Sequence, residues 1–370
     1  MTLSKGGSVT DRERFLACVR GEPADRPPYW LLWGGWETTL ERWKREGADF
    51  GLLGEPRLLF EPDTPPVPVP ASFGPYPAFH HLVLEETDDW RVSVDSWGIK
   101  RREFKGRESM PEFIEFPVKN RRDWEQYKEE RLNPNKPGRI SDDLRGALTI
   151  WPDLGFPIQA GNFPDVGIYG GLRWLLGDEE CLMAFCTDPG WVHEIMEHLT
   201  ELYLGMFEEV AGLVRVDVIH MWEDMCGRNG PLISPEQWDE FMGPCYRRIA
   251  GFAAHHDIPV FSVDTDGQPG LIIPPMMAAG VNYLWPLEVA AGCDVNAMQA
   301  KHPGLAMMGG IDKRALAQCP EAIDAELERV RPAVENGRYI PDLDHSVPDD
   351  VSWEHYCYFA EALKRLVGKE

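Results

Sequence analysis

Three apolar segments of the sequence run directly into carboxylates, and two of them also carry a histidine. They cover residues 218–225, 260–267 and 340–345. Burying several carboxylates side by side is costly unless a metal ion, a cation or shared protons offset the charge. If these segments are parallel strands of one barrel, their carboxyl ends meet where barrel enzymes place their reactive groups. The three acidic ends are therefore the candidate chemical site of the chain.

Two kinds of chemistry suit these residues. Asp264 and Asp266 lie two positions apart, so on an extended strand their side chains share a face. Together with His345 and with Glu223 or Asp224 they could bind a divalent ion, zinc or a harder ion, through oxygen and imidazole ligands. The same set could instead act in acid/base catalysis, with members that raise one another's pKa. Alternatively, Asp266–Gly267 and Asp344 simply form loop turns and cap the helices that follow.

These residue types predict catalytic, metal-binding and substrate-binding roles. The predicted catalytic residues are Glu223, Asp224, Asp266 and His345; the predicted metal ligands are Asp264, Asp266 and His345; and the predicted substrate contacts are His220, Trp222 and Arg228. Arg228 could grip a substrate carboxylate with two parallel hydrogen bonds, or it could pair with Glu223. His220 could equally be a hydrogen-bonded wall residue, and the tryptophans could line an aromatic cavity or serve as packing.

The composition limits the classes of partner. The 370 residues carry a net charge of −24, which disfavours nucleic acid because phosphate neutralisation needs clustered Lys and Arg. Such acidity suits a cationic substrate, or simply a solvated surface. No apolar stretch is long enough to span a membrane, and residues 1–14 lack the apolar core of a signal peptide. The eight cysteines form no CxxC pair, so we expect reduced thiols and a cytoplasmic protein.

From about residue 148 onward, short apolar runs alternate with helical stretches. The predicted strands are 148–151, 216–221, 259–263, 282–285, 305–308 and 339–341. Helices between them begin at good caps, such as Asp188 before Pro189 and the box Ser234–Gln237. This alternation implies parallel strands joined by right-handed crossovers. Because no G-x-G-x-x-G follows a strand, a (β/α)₈ TIM barrel is favoured over a dinucleotide-binding fold.

The amino-terminal part of the chain does not show this alternation of strands and helices. A capping box, Thr10 with Glu13, begins the first helix, and the apolar run 29–33 predicts a buried strand. Residues from about 45 to 145 are rich in proline, aromatic and charged residues. We interpret them as an elaboration with short strands and a charged helix over 121–131, within a single domain that covers residues 1–370. A separate domain is the alternative.

Several short motifs follow one another in a fixed order. They are Arg12–Phe15, Gly21–Pro28, Thr187–Pro189, Asp217–Gly227, Gly230–Pro235, Gly309–Asp312 and Asp344–Ser352. In this order the chain resembles the uroporphyrinogen decarboxylase superfamily, which includes the porphyrinogen decarboxylase and methyltransferases that exchange methyl groups with corrinoids. The resemblance spans nearly the whole chain and is weakest between about 45 and 145. It implies a (β/α)₈ barrel.

The resemblance also assigns residues, with departures. Where the decarboxylase holds substrate carboxylates with two arginines, the matching positions are Trp33 and Glu37, which we therefore add to the predicted substrate contacts. His345 matches the decarboxylase's carboxy-terminal histidine. Zinc methyltransferases bind their ion through a His-x-Cys pair and a later Cys, and the matching positions are Asp264, Asp266 and His345. Carboxylate and imidazole suit a harder ion or an acid/base role better than thiol-activating zinc.

We therefore expect an enzyme of the methyltransferase-like branch. It would move a methyl group from a small methylated substrate to a corrinoid on a separate partner protein, since the resemblance gives this chain no corrinoid domain. One alternative is decarboxylation of a small carboxylic acid, with Arg228 holding a carboxylate and an acidic residue protonating the product. Another is a barrel that binds a ligand without catalysis. A homodimer is the expected assembly if the chain associates.

Overall fold

A computed structural model of the protein describes residues 9–51, 54–106 and 110–369. Its α-helices, in chain order, are Asp11–Arg20 (α1), Glu37–Arg45 (α2), Arg121–Arg131 (α3), Asp142–Leu148 (α4), Ile168–Leu176 (α5), Asp178–Thr187 (α6), Pro189–Ala211 (α7), Pro235–Gln237 (α8), Gly243–His255 (α9), Ile273–Ala278 (α10), Val295–Lys301 (α11), Pro320–Asn336 (α12) and Trp353–Leu366 (α13). A π-helical turn, Trp238–Met242, joins α8 to α9. Residues 1–8 of the amino-terminal segment considered above lie outside the described residues.

The strands are short, as expected for an α/β protein. In chain order they are Val67–Pro68 (β1), Leu82–Glu86 (β2), Trp90–Val94 (β3), Lys100–Phe104 (β4), Glu112–Glu115 (β5), Ile158–Ala160 (β6), Val218–Trp222 (β7), Cys226–Gly227 (β8), Gly230–Pro231 (β9), Val260–Asp264 (β10), Tyr283–Trp285 (β11), Ala306–Ile311 (β12) and Tyr339–Leu343 (β13). Turns of 3₁₀ helix cover Pro56–Phe60, Trp151–Leu154, Val289–Ala291 and Lys313–Ala315.

Helices begin where a side chain binds the first free backbone N–H groups. Thr10 and Glu13 form the predicted box of α1, since the Thr10 hydroxyl accepts from the Glu13 N–H and the Glu13 carboxylate accepts from the Thr10 N–H. Ser234 and Gln237 form the same box at α8. At α7 the Asp188 carboxylate accepts a first-turn N–H, ahead of a proline in the first helical position. These three predicted helix starts are confirmed.

Five of the predicted strands from residue 216 onward correspond to β7, β10, β11, β12 and β13, with small shifts at their ends. The strand predicted over 148–151 is wrong, because Leu148 ends α4 and Trp151 begins a 3₁₀ turn. A short apolar run has no period that separates a strand from the end of a buried helix. The sequence pattern therefore carried too little information at that position.

The strand predicted over 29–33 is also wrong, although Tyr29, Trp30 and Leu31 are buried. The Tyr29 N–H donates to the Asp63 carboxylate (2.8 Å), and the Leu32 N–H donates to the Asp342 carboxylate (2.7 Å). Side-chain carboxylates thus satisfy backbone donors that a neighbouring strand would otherwise satisfy. An apolar run can therefore be buried without pairing to a neighbouring strand when such acceptors are present.

The described chain forms two compact units, each built from separate stretches of sequence. We call residues 1–67, 150–158 and 282–370 the terminal unit, and residues 68–149 and 159–281 the central unit. Each unit contains parallel strands that alternate with helices, which confirms the predicted α/β class with a parallel sheet. The closed (β/α)₈ barrel and the single domain over 1–370 stay predictions.

In the central unit, β7 pairs in parallel with both β6 and β10. The register places Trp222 opposite Asp264 and His220 opposite Ser262. Phe261 points to the helix layer, where its ring packs against a tyrosine of α9. Because side chains alternate along a strand, the two opposed pairs share the face away from α9. One face of this sheet is thus polar at the strand ends.

In the terminal unit, β12 pairs in parallel with β11 and with β13. All five residues of β13 are buried, and Asp344 follows directly after it. The third acidic end therefore follows a buried parallel strand, as predicted. The elaborated region of about 45–145 contains an antiparallel sheet of β2 to β5 in the central unit, and α3 has the predicted bounds. In the described parts of the chain, no helix combines the length and hydropathy needed to cross a membrane.

Candidate active site

The first two acidic ends meet in the central unit. The Glu223 N–H donates to the Asp264 carbonyl oxygen (2.9 Å), and the Met225 N–H donates to the Thr265 hydroxyl (2.9 Å). These bonds continue the contact between β7 and β10 beyond the last residue of each strand. Two of the three segments that the sequence singled out are therefore joined at one edge of the sheet.

The buried Glu223 carboxylate is fully occupied by hydrogen bonds. Its Oε1 accepts from the Ile168 N–H (2.9 Å) and the Tyr246 hydroxyl (2.7 Å). Its Oε2 accepts from the N–H groups of Tyr169 (2.7 Å) and Gly170 (2.9 Å). The three amides are the free donors at the start of α5, where a negative charge is stabilised by the helix dipole. Glu223 therefore caps α5 from the end of β7.

This arrangement gives Glu223 a positioning role. A carboxylate has about four lone-pair sites, and four donors already use them. Burial raises the pKa of Glu223 to about 7, while the bonds from α5 and from Tyr246 oppose that rise. Gly167 and Gly170 permit the close approach, because a Cβ on either would collide with the Trp222 carbonyl oxygen. Glu223 thus holds the start of α5 in place, and the predicted proton transfer by Glu223 stays a prediction.

Asp224 is held by a buried cation of α5. Nη1 of Arg173 donates to the Asp224 carbonyl oxygen (2.9 Å) and to its carboxylate (2.6 Å). The same guanidinium lies 2.7 Å from the Asp178 carboxylate. Asp224 has a φ of 42°, in the left-handed region that few non-glycine residues occupy. Arg173 therefore stabilises an uncommon backbone turn and balances the charge of Asp224.

Asp264 differs from these carboxylates because no described residue makes a hydrogen bond or ion pair with its side chain. It ends β10 and is only 9% exposed. Burial raises the pKa of Asp264 well above its ordinary value, and the charges of Asp266 and Asp224 raise it further. All three causes favour the neutral acid. Asp264 is therefore a buried group that can hold and donate a proton.

An aromatic group lies beside Asp264. Trp222, its neighbour across the strands, packs against Trp174 of α5 with 5.1 Å between ring centroids. It also meets the edge of Phe163, at 4.9 Å and an interplanar angle of 84°. Trp222 is 7% exposed whereas Phe163 is 63% exposed. The aromatic group thus extends from the buried strand end to the surface.

His220 and Arg228 have contrasting environments. His220 is buried, with Nδ1 3.2 Å from the Ser262 hydroxyl, and burial lowers its pKa to about 3. Its imidazole is therefore neutral. Arg228 is exposed and forms no ion pair with the described residues, and pairing with Glu223 is excluded because that carboxylate is occupied. Substrate binding by His220 and Arg228 stays a prediction.

The terminal unit holds the remaining predicted site residues. The His345 ring stacks on the Trp33 indole at 4.4 Å between centroids, and the Trp285 ring lies 6.2 Å from Trp33. Nδ1 of His345 accepts from the Ser346 N–H (2.7 Å), which places the proton of the neutral imidazole on Nε2. Glu37 is exposed at the first position of α2. Trp33 and His345 thus form a stacked pair, and Glu37 stands on the surface.

Two buried aspartates organise the backbone at the third acidic end. Asp342 accepts from the N–H groups of Leu32 and Leu343, both at 2.7 Å. Asp344 accepts two further backbone N–H groups, at 3.1 and 3.2 Å. Burial raises the pKa of Asp342 to about 7 and that of Asp344 to about 6. Asp344 thus binds the first backbone N–H group of two 3₁₀ turns, Val289–Ala291 and Lys313–Ala315.

Replacing Asp342 with asparagine is expected to flatten the pH dependence of stability. Because burial raises the pKa of Asp342 from 3.8 to about 7, the folded protein keeps a proton that the unfolded chain loses between those values. Its contribution to the free energy of unfolding therefore falls as the pH rises through that window, by about 4 kcal/mol at most. Urea denaturation from about pH 5 to about pH 8 measures this. Equal pH slopes for the wild type and Asp342→Asn would contradict it, with the exposed Asp239→Asn as control.

The predicted site residues thus form two groups, one in each unit, and their convergence at one mouth stays a prediction. Among the residues that the structure describes, no group of three or more His, Cys, Asp or Glu side chains is arranged to hold a metal ion. The ion predicted for Asp264, Asp266 and His345 stays a prediction. Within the central unit, burial and the charges of Asp266 and Asp224 raise the pKa of Asp264, which favours its protonated form.

Three residues that shape the site were not predicted from the sequence. Arg173 and Trp174 project from α5, whose sequence is apolar apart from Arg173. A lone cation in such a run is a signal, because a buried arginine needs a carboxylate partner. Tyr246 gives no comparable signal, since a tyrosine in an amphipathic helix is ordinary packing.

Comparisons relate the chain to known proteins. The family model described as "Uroporphyrinogen decarboxylase (URO-D)" matches residues 176–366. The uroporphyrinogen decarboxylase of Prochlorococcus marinus (strain MIT 9215) is 22% identical, covering 96% of this chain and 99% of its own length. That of Anaeromyxobacter dehalogenans is 23% identical, covering 90% and 93%. A solved structure described as a methyltransferase from Methanosarcina mazei has a TM-score of 0.58 at 16% identity, covering 97% and 99%, and shows a shared fold.

Proposed function

The chain belongs to the uroporphyrinogen decarboxylase family, and from this premise we propose that it is an enzyme that removes a methyl group from a small methylated substrate. The observation that carries the proposal is Asp264, a buried carboxyl group without a partner among the described residues. A methyl group leaves nitrogen or oxygen more easily when that atom is protonated. A neutral carboxylic acid at a strand end is suited to supply the proton.

The residues of the central unit have separate roles in this reaction. Asp264 donates its proton to the nitrogen or oxygen, the bond from that atom to the methyl carbon breaks, and the electron pair stays on the leaving atom. Trp222 provides an apolar wall beside Asp264. Arg173 holds Asp224, and Glu223 holds the helix that carries Arg173. A reduced corrinoid on a partner protein would supply the nucleophile that accepts the methyl group.

Decarboxylation of a small carboxylic acid is the second candidate, favoured by relatives that are named decarboxylases and match at least 90% of this chain. In that reaction a carbon–carbon bond breaks, carbon dioxide leaves, and Asp264 protonates the carbanion-like product. Arg228, exposed and without an ion pair among the described residues, would hold the substrate carboxylate. Methyl transfer ranks first because the charges of Asp224 and Asp266, which raise the pKa of Asp264, would also repel an anionic substrate.

The test of methyl transfer uses the purified full chain and a reduced corrinoid protein. Methylated amines and methoxylated compounds are added singly, and transfer is followed by the absorbance change of the corrinoid. We expect transfer from at least one compound, and none when this chain is omitted. Carbon dioxide release from a panel of small acids without any methyl transfer would overturn the proposal in favour of the second candidate. Ligand binding with neither reaction would favour a non-catalytic binding protein.

The remaining expectations stay predictions. A divalent ion bound by Asp264, Asp266 and His345 is tested by elemental analysis of the wild type and of His345→Ala. A stoichiometric ion that is lost in the variant would replace the proton-based account. A homodimer and a cytoplasmic location are tested by light scattering and by fractionation of the host cells.

A further inference from the structure

We propose that the strand ends of the central unit bind a methylated amine as its ammonium ion. This inference rests on the proposed function, because it names the class of substrate that the same site accepts. A deep carboxyl group without a partner and an aromatic group beside it carry the argument. Together they match the two features by which proteins recognise alkylammonium ions, negative charge and aromatic ring faces.

One carboxyl group of the site, that of Asp264, has no cationic partner among the described residues. Asp224 has the guanidinium of Arg173 as its partner, whereas no described residue pairs with the side chain of Asp264. Asp264 is only 9% exposed, so water screens it poorly. A cation beside it would be stabilised by the charges of Asp224 and Asp266, and by Asp264 once that group has given up its proton. The missing partner is therefore supplied by a positively charged ligand.

The aromatic residues beside Asp264 indicate which kind of cation the site binds. Trp222 shares a sheet face with Asp264 and packs against Trp174 and Phe163. Tryptophan faces attract cations, and methyl groups on nitrogen spread the charge and add apolar contact. Phe163 is 63% exposed, so the ring group extends from the strand end to the surface. A net charge of −24 raises the local concentration of cations around the protein.

The charge balance agrees with methyl removal. In the complex the nitrogen carries the proton and Asp264 is the carboxylate counter-ion: either Asp264 protonates a neutral amine, or an ammonium ion binds and Asp264 releases its proton to solvent. When the carbon–nitrogen bond breaks, the electron pair stays on nitrogen, the methyl group goes to the acceptor, and the amine leaves neutral. Asp264 then regains a proton from solvent. No oxidant or reductant is consumed in this step.

Binding of an isosteric pair tests the inference without any methyl acceptor. The probes are N,N-dimethylethanolamine and 3-methyl-1-butanol, which have the same arrangement of heavy atoms with nitrogen replaced by carbon. By titration calorimetry we expect the amine to bind the wild type roughly tenfold more tightly than the alcohol. The preference should disappear in Asp264→Asn and survive in the exposed control Asp239→Asn.

The outcomes separate this inference from the proposed function. Equal binding of the two probes, or a preference that survives in Asp264→Asn, overturns the inference. If methoxylated compounds then donate methyl groups while amines do not, the proposed function stands alone. If the amine binds with the stated preference but no methylated compound donates a methyl group to the corrinoid protein, the binding site stands and the proposed function fails.

Discussion

Replacing Glu223 with alanine is expected to lower the free energy of unfolding by about 3–5 kcal/mol, because it removes the acceptor of four buried donors. The N–H groups of Ile168, Tyr169 and Gly170 and the Tyr246 hydroxyl would all lose their partner. No water replaces the carboxylate easily, since the glycines of α5 already lie against the end of β7. Urea denaturation with a fitted midpoint and slope measures the loss.

Two further variants test whether the loss of stability in Glu223→Ala comes from the hydrogen bonds of its carboxylate. Tyr246→Phe removes one donor and leaves three, so a loss of about 1 kcal/mol is expected. The exposed Glu335→Ala is the matched control and should change stability by less than about 0.5 kcal/mol. If Glu223→Ala is as stable as the control, the carboxylate does not hold α5, and a direct role in chemistry becomes the better account of Glu223.

The second large effect concerns catalysis. Replacing Asp264 with asparagine should lower the rate of methyl transfer by about 10²–10⁴-fold, the usual contribution of a positioned general acid. The amide nearly preserves the shape of the side chain but cannot deliver the proton. Stability should be unchanged or slightly higher, because the variant removes a carboxyl group that has no described partner. Single-turnover kinetics at saturating substrate separates this rate from binding.

An exposed aspartate provides the control for Asp264→Asn. Asp239→Asn, on an exposed turn, should keep the wild-type rate. If Asp264→Asn transfers methyl groups within about threefold of the wild type, Asp264 is not the proton donor. A loss of activity accompanied by a large loss of stability would likewise contradict the expectation, because the folded state should tolerate the amide.

Much of the architecture could be predicted from the sequence because the signals are local. The box of Thr10 with Glu13 and the alternation of strands with helices each depend on a few neighbouring residues. The segment 29–33 shows the limit of this reasoning. Its backbone donors bind Asp63 and Asp342, which are distant in sequence, and no local pattern reveals such acceptors. The closure of a barrel depends on long-range pairing in the same way.

In the candidate site, too, the sequence showed the local pattern but not the distant partners. The acidic ends were found because a strand that runs into carboxylates is an unusual pattern. Their roles could not be assigned, since Glu223 and Asp264 have the same chemistry until their partners are known. Four donors surround Glu223, whereas no described residue pairs with Asp264. Those partners come from α5 and α9, whose packing against β7 the sequence pattern does not specify.

We propose that Asp264 carries a proton at neutral pH, because burial and the charges of Asp266 and Asp224 raise its pKa well above the ordinary value. Infrared difference spectroscopy between the wild type and Asp264→Asn at about pH 7 tests it directly, because a protonated carboxyl group and a carboxylate absorb at different frequencies. The account predicts that the variant loses the C=O band of a protonated carboxylic acid. Loss of carboxylate bands instead would show that Asp264 is already ionised and would contradict the account.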